Sequence, residues 1–515
     1  MNGAESLVRT LLAGDVDVCF TNPGTSEMHF VAALDQVPGM RCILGLFEGV
    51  VTGAADGYYR MARKPASTLL HLGPGLGNGL ANLHNAKKAG SGVVNIVGEH
   101  ATYHVALDAP LTSDIEGIAR PVSNWVKTSP SATEVAGDGA AAIAAALEPP
   151  GRVATLILPA DTAWNAANGI AETPPPVPPP AVASEAVDKA AEALRASDKA
   201  LIVLGGEALW EEGLDLAGRI AARAGCDLIA EWSNARLERG AGRVSVARIP
   251  YPVDQALKVL EGYDTMVLIG SREPIAFFAY PDKPSRLVPE GCAVVELAGP
   301  ADDIKGALEA LLDALGARDA VPAAVAEADR PAIPSGPAGH AGIATVLGAL
   351  LPENAIVVDK SITTGRSFAP VTAGAPPHVW MNNLGGSIGY GLPVAIGAAV
   401  ACPDRKVIAL EGDGSAMYTV QGLWTMAREN LDVTVLVFAN RSYQILRGEL
   451  TAVGVQNPGP RAVDMLSLSR PDLSWVEMAK GMGVEACKVD ECEALAHAFE
   501  AGLASDGPYL IEVVL

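Results

Sequence analysis

The stretch Val407–Tyr443, VIALEGDGSAMYTVQGLWTMARENLDVTVLVFANRSY, constrains the fold of this chain more than any other. It contains two apolar runs, Val407–Leu410 and Val433–Phe438, the second rich in the β-branched and aromatic residues that suit strands. Between them, Ser415–Asn430 spaces Met417, Val420, Leu423, Trp424 and Ala427 at helical intervals. Strand, Gly-Asp-Gly turn, helix and strand is the order of a parallel pair with a crossover helix. Both strands of such a unit end on one edge of the sheet. Asp413 and Asn440 are therefore expected side by side at the edge where open α/β sheets bind ligands.

Gly412 and Gly414 let backbone approach a ligand closely, and Ser415 with the helix amides behind it can receive phosphate oxygens. An acidic oxygen and an amide oxygen beside a phosphate suit Mg²⁺, a hard cation that takes oxygen ligands. A tight turn in an ordinary β-α-β unit would explain Gly-Asp-Gly alone. The turn, the spacing, the strand ends and the Asn taken together favour a phosphate-and-metal site. On these residues the segment resembles the thiamine diphosphate (ThDP) motif, in which Gly-Asp-Gly is followed by an Asn that ends the next strand. The resemblance implies Asp413, Asn440 and the backbone carbonyl of Ser442 as metal ligands. Ala439 departs from it, because the family usually has a first Asn there.

A chain of 515 residues is too long for one core and suggests about three domains at ~150 residues each. In residues 1–172 the apolar runs Val16–Phe20, Cys42–Phe47, Ser67–Leu72, Val93–Val97 and Ala154–Leu158 alternate with helical patterns, as in a mostly parallel sheet. The run TPPPVPPP, Thr173–Pro180, is a stiff spacer. Residues 185–330 repeat the alternation, with a helix at Glu185–Ala196 and strands at Ala200–Leu204, Leu228–Ala230, Thr265–Ile269 and Ala293–Leu297. After a loose Ala, Pro and Gly stretch at Val321–Gly339, residues 340–515 hold the strand Ala355–Asp359, the segment NNLGGSIGYGLPVAIGAAV and the opening motif. No short-period repeat is present. The expected fold is α/β, with three consecutive doubly wound, mostly parallel-sheet domains. In the ThDP decarboxylase and acetolactate synthase superfamily, which the chain resembles along essentially its whole length, these would be the pyrimidine-binding, central and diphosphate-binding domains.

A formal charge of −22 argues against nucleic acid or an anionic membrane as the main partner. The seven cysteines are scattered, odd in number and without CxxC, as expected of reduced thiols in a cytoplasmic protein. The first residues do not read as a signal peptide, and no apolar run reaches the ~20 residues of a membrane helix. A generic nucleotide-binding protein would call for a GxGxxG directly after a first strand, which is missing.

The resemblance assigns further residues. Glu48, in LGLFEGVVTGAADGYYRMA, matches the buried Glu that hydrogen-bonds the aminopyrimidine ring; taken alone it reads as a helix N-terminal acid. His71 ends the strand STLLH, precedes GPGLGNG, expected to be a flexible loop, and stands where benzoylformate decarboxylase has a His. An imidazole there suits proton relay, and a structural role at a strand end is the competing reading. His84 reads as a helix-packing residue. Thr25, in NPGTSE, stands where benzoylformate decarboxylase has a Ser that contacts the substrate carboxylate, although a turn role also fits. Gly386 would offer its carbonyl to the aminopyrimidine and Ile388 would wedge the cofactor into its bent shape. Thr363, Gly414, Ser415 and Tyr443 complete the expected cofactor contacts.

Departures narrow the substrate. The segment REPIAFFAYPDKPS carries Phe277 and Phe278 where benzoylformate decarboxylase supplies a second His. Leu446 replaces a Glu of pyruvate decarboxylase relatives, and Gly448-Glu449 replaces two pocket-closing aromatics. These changes argue against an aromatic substrate and make Glu449 a candidate proton donor. SREP without the fuller Arg-rich and acid-rich pattern predicts that FAD is not bound.

The expected function is non-oxidative, ThDP- and Mg²⁺-dependent decarboxylation of a 2-oxo acid through an enamine, releasing an aldehyde. The alternative is an acetolactate-synthase-like carboligase that joins the enamine to a second carbonyl compound. A catalytically silent ThDP-binding protein would be expected to lose Glu48 or the metal ligands, which are present. Family members build the site across a dimer, so a homodimer or homotetramer is expected.

Overall fold

The computed structural model describes residues 1–515. Its strands form three sheets, each drawn mainly from one third of the chain. The first holds β1 (Val18–Asn22), β2 (Arg41–Leu44), β3 (Ala66–Leu70), β4 (Val93–Glu99), β5 (Trp125–Thr128) and β6 (Val153–Pro159), in the order β2-β1-β3-β4-β6-β5 and all parallel. The middle segment contributes β7 (Ala200–Leu204), β8 (Asp227–Ala230), β9 (Leu237–Arg239), β10 (Ala247–Arg248), β11 (Thr265–Ile269) and β12 (Ala293–Ala298). Five of these make a parallel sheet in the order β10-β8-β7-β11-β12. The third sheet contains β13 (Ile356–Lys360), β14 (His378–Met381), β15 (Val407–Gly412), β16 (Val433–Ala439), β17 (Glu485–Val489) and β18 (Tyr509–Val514). Its order is β17-β18-β16-β15-β13-β14-β9, with only β9 antiparallel. This is the expected α/β architecture of three mostly parallel sheets.

Strand β9 was not foreseen. Three residues are too few to set up a readable alternation, and its pairing depends on contacts with a distant segment. Leu237 is buried opposite Trp380, and the Arg239 guanidinium lies 5.2 Å from the Trp380 ring centroid. The middle segment is thereby stitched to the third sheet. No helix or strand occupies Thr173–Pro180.

The first and third segments share one core, in which Val50, Val51, Ala54 and Ala55 pack with Leu392, Val394 and Ile396. Glycine makes this approach feasible at two places. A Cβ on Gly57 would lie 2.1 Å from the Val394 carbonyl oxygen, and one on Gly397 would lie 1.9 Å from that of Ala54. The Glu48–Ala62 and Gly391–Ala401 helices therefore touch backbone to backbone.

Two local expectations are corrected. GPGLGNG belongs to a helix, Leu72–Ala89, rather than a flexible loop. Gly73, Gly75 and Gly79 face Ser113, Glu48 and Thr52, where side chains have little room, so packing overrides the poor helix propensity. The helix expected over Ser415–Asn430 is broken into Asp413–Ala416, a 3₁₀ turn at Met417–Thr419 and Gly422–Arg428. Here the Thr419 hydroxyl donates to the Gly389 carbonyl at 3.1 Å, and Gly422 sits close against Leu392 and Ile396. Long-range contacts thus bend the path. No helix is long and apolar enough to cross a membrane.

Candidate active site

β15 and β16 run side by side in parallel register, with Gly412 opposite Phe438. Their ends deliver Asp413 and Asn440 to the same edge, as the spacing predicted. Asp413 is only 3% exposed; its Oδ1 accepts the Gly414 amide at 2.8 Å and its Oδ2 accepts the Arg441 amide at 2.7 Å. Burial pushes this carboxyl up to about 6, although those backbone amides favour its charged form. The Asn440 side-chain oxygen accepts the Ser442 amide at 2.9 Å. A buried carboxylate, an amide oxygen and nearby backbone carbonyls form an oxygen donor set that fits a hard cation better than zinc.

The neighbours of this pair define a cradle. The Ser415 hydroxyl accepts the Gly389 amide at 3.2 Å, and a Cβ on Gly414 would lie 2.5 Å from the Tyr443 ring. Gly386 has φ +78° and lies under Phe277, while Ile388 is half-buried in the same turn. Thr363 lies beyond β13, after Ile362 at φ +53°. Ala439 is the buried last residue of β16, so its side chain serves the core rather than the edge.

A second group gathers at the carboxyl edge of the first sheet. Glu48 opens its helix and is buried, and its Oε2 accepts from Asn78 Nδ2 at 3.0 Å. A Cβ on Gly75 would be 3.1 Å from Glu48 Oε1, so glycine leaves space for this carboxylate. His71 directly follows β3, and its Nδ1 stands 2.8 Å from Glu27 Oε2. Thr25 is exposed in the short turn after β1. No hydrogen bond joins Glu48 or His71 directly to Asp413 or Asn440.

The Gly-rich turn between them is fastened from the first segment. Asn82 donates to the Gly49 carbonyl at 2.7 Å and to that of Gly389 at 3.1 Å. His84 Nε2 meets the Gly385 carbonyl at 3.0 Å, and Asn85 donates to the Ser387 carbonyl at 3.1 Å. Three non-glycine residues with left-handed backbone, Leu72, Ile362 and Arg441, each stand two places beyond β3, β13 and β16. Such strain collects where a structure holds functional groups in place.

Sequence reasoning missed Glu27 and Asn82. Glu27 lay inside the quoted NPGTSE loop, but an acid three residues after a turn glycine reads first as a local cap. Its contact with a residue 44 positions away leaves no local signal. Glu449 has a different setting from the one expected: its carboxylate accepts from the Tyr251 and Tyr280 hydroxyls, at 3.2 and 2.8 Å, fastening the Gln444–Ala452 helix to the middle segment.

Comparison with known proteins adds family and relatives. Residues 1–118 match the family model described as thiamine pyrophosphate enzyme, N-terminal TPP binding domain. Residues 364–513 match the corresponding C-terminal TPP binding domain. A Mycobacterium tuberculosis protein, provisionally named acetolactate synthase large subunit IlvX, is 52% identical, covering 100% of this chain and 99% of its own. Benzoylformate decarboxylase of Pseudomonas aeruginosa is 29% identical over 96% of this chain and 95% of its own. Among solved structures, the thiamine diphosphate-dependent 4-hydroxybenzoylformate decarboxylase of Rhodococcus jostii RHA1 shares the fold. Its TM-score is 0.85, at 23% identity, with 100% of this chain and 99% of that one covered.

Proposed function

Since the chain belongs to the thiamine pyrophosphate enzyme family, we propose that it is a ThDP- and Mg²⁺-dependent decarboxylase that converts a 2-oxo acid to an aldehyde and CO₂. The observation that carries this reading is His71, whose Nδ1 is engaged by Glu27 while its Nε2 has no partner within the chain. A proton carrier at a sheet edge serves release of a protonated product.

In this reading Asp413, Asn440 and the Ser442 carbonyl hold the cation, and Gly414, Ser415, Thr363 and Tyr443 hold the diphosphate. Glu48 hydrogen-bonds the aminopyrimidine, the Gly386 carbonyl accepts from it, and Ile388 supports the cofactor's bent shape. When bound, ThDP supplies the electron sink that allows CO₂ to leave. Thr25 orients the substrate carboxylate with an uncharged hydroxyl, and His71 moves a proton at Nε2. The buried helix N-terminus at Glu48 and the packed Gly-rich turn limit access of water.

The active form is a homodimer or homotetramer of the cytoplasm, one chain contributing Glu48 and its partner Asp413. Flavin is not required: Glu231 fills the space beside Gly205, and Ile304 that beside Gly206 and Gly270, at the carboxyl edge of the middle sheet. A yellow purified protein would contradict that point.

A carboligase is the second reading, favoured by the 52% identity to a protein provisionally named as an acetolactate synthase. Incubation with ThDP, Mg²⁺ and a panel of 2-oxo acids, with products identified by mass spectrometry, separates the two. Aldehydes one carbon shorter support decarboxylation, and longer hydroxy-keto products support ligation. Absence of CO₂ from every acid would remove both.

A further inference from the structure

Glu27 is a carboxyl group enclosed by the protein, 3% exposed in the turn that follows β1. Its Oε2 accepts the Gly24 amide at 2.8 Å and stands 2.8 Å from His71 Nδ1. Its Oε1 has no hydrogen-bond partner. Oε2 takes the Gly24 N–H as a carboxylate oxygen does, with no proton of its own. It therefore meets His71 as an acceptor, and Nδ1 carries the hydrogen.

The surroundings are shaped to keep this pair together. A Cβ on Gly24 would lie 2.3 Å from the His71 ring, and one on Gly98 would lie 1.7 Å from Glu27 Oε1. Both positions are thus restricted to glycine by the pair itself. His71 is fixed from the other side by β3 and by Leu72 at φ +47°. Its side chain keeps 22% of its surface exposed, at the end opposite to a carboxylate that is 1% exposed. Burying Oε1 without a partner costs stability, so the pair is not placed there for stability alone.

We propose that Glu27 is a positioning residue: by accepting Nδ1–H it fixes His71 in the tautomer whose Nε2 carries the lone pair, and so aims the proton-transferring atom away from the core into the substrate space. Glu27 touches no substrate. It acts through His71, and its catalytic consequence rests on the proton role given to His71 above.

The test is the tautomer, read directly. In uniformly ¹⁵N-labelled holoenzyme at about pH 8.5, two-bond ¹⁵N–¹H spectra distinguish protonated from unprotonated ring nitrogens, and His71→Ala identifies the signals. Wild type is expected to have Nδ1 protonated and Nε2 bare. Glu27→Met, which keeps the length but offers no acceptor, is expected to shift His71 toward the Nε2–H form. Glu27→Leu gives the same readout in a second packing. Glu27→Gln, whose amide oxygen still accepts, is expected to keep the wild-type tautomer. Folded Met or Leu variants with Nδ1 still protonated would overturn the proposal, as would a Gln variant that switches.

Turnover supplies the link to function. With a 2-oxo acid that wild type decarboxylates, kcat of Glu27→Met is expected to fall about 10²-fold, the lower end for loss of a positioned acid-base group, with KM nearly unchanged. If the tautomer switches while kcat stays at the wild-type value, Glu27 still positions His71 and the proton role of His71 falls. The spectra need no substrate, so the positioning can be judged whichever reaction the enzyme performs.

Discussion

The Asp413 carboxylate accepts the Arg441 amide at 2.7 Å, tying the turn after β15 to the residue next to Asn440. Arg441 has φ +55°, and this bond helps to hold it there. The two residues proposed to share a cation are therefore set in place by backbone before a ligand arrives. Asp413→Asn keeps an acceptor for Arg441 but removes the charge. Losing one charged ligand is expected to weaken ThDP binding in Mg²⁺ by about 10–100-fold, the range of a charge-assisted contact of about 1.5–3 kcal/mol. Calorimetric titration measures it, with unchanged circular dichroism as the control.

The contact between the Glu48–Ala62 and Gly391–Ala401 helices has no room for a methyl group at Gly57, whose Cβ would meet the Val394 oxygen at 2.1 Å. Gly57→Ala is expected to destabilise by about 1–3 kcal/mol despite the better helix propensity of alanine. A lower denaturation midpoint checks this. An unchanged or raised midpoint would mean that the helices can part.

Asn82 is 1% exposed and bridges the Gly49 and Gly389 carbonyls. Asn82→Leu removes one donor from each carbonyl, the Gly389 oxygen keeping the Thr419 hydroxyl, and two such bonds cost about 2 kcal/mol. It also frees the turn whose Gly389 amide reaches Ser415. Urea unfolding should show the first effect, and weaker ThDP binding by the folded variant the second.

His378 is buried between Arg239 and Arg243; burial first, then the Arg239 charge, holds its imidazole down at about 3. The unfolded chain titrates near 6.5, so the stability that neutral His378 confers is complete above that pH and is lost as pH falls toward 3. Between pH 7.5 and 5.5 the loss is about 1.4 kcal/mol. Unfolding midpoints at these two pH values should differ less in His378→Leu than in wild type.

Glu449 is committed as an acceptor to Tyr251 and Tyr280. Glu449→Gln is expected to leave kcat within about 3-fold of wild type, since an amide oxygen still accepts and exposed or half-exposed contacts contribute little. A loss of about 10²-fold would instead assign it the proton transfer considered from sequence.

Several strands buried on both faces were legible as continuous apolar runs: β7 and β11 match their expected spans, and β16 extends one residue further, to Ala439. β5 and β9 were missed because strands of three or four residues carry little pattern, and β14 and β18 were not foreseen either. Phe277 was read only as a departure from a relative's His. Its place against Gly386, within a cluster that includes Trp232 and Tyr251, depends on packing between distant segments.

By itself the sequence determined the β15–turn–β16 unit, the shared edge of Asp413 and Asn440 and the alternation that makes three mostly parallel sheets, because each follows from periodicity and turn chemistry within some forty residues. Only the tertiary structure decided that the glycine-rich stretch after His71 is a helix, that β9 joins a sheet from another part of the chain and that Glu27 faces His71. Those outcomes are set by side chains meeting across tens to hundreds of positions, where steric room and a buried hydrogen-bond partner outweigh local propensity.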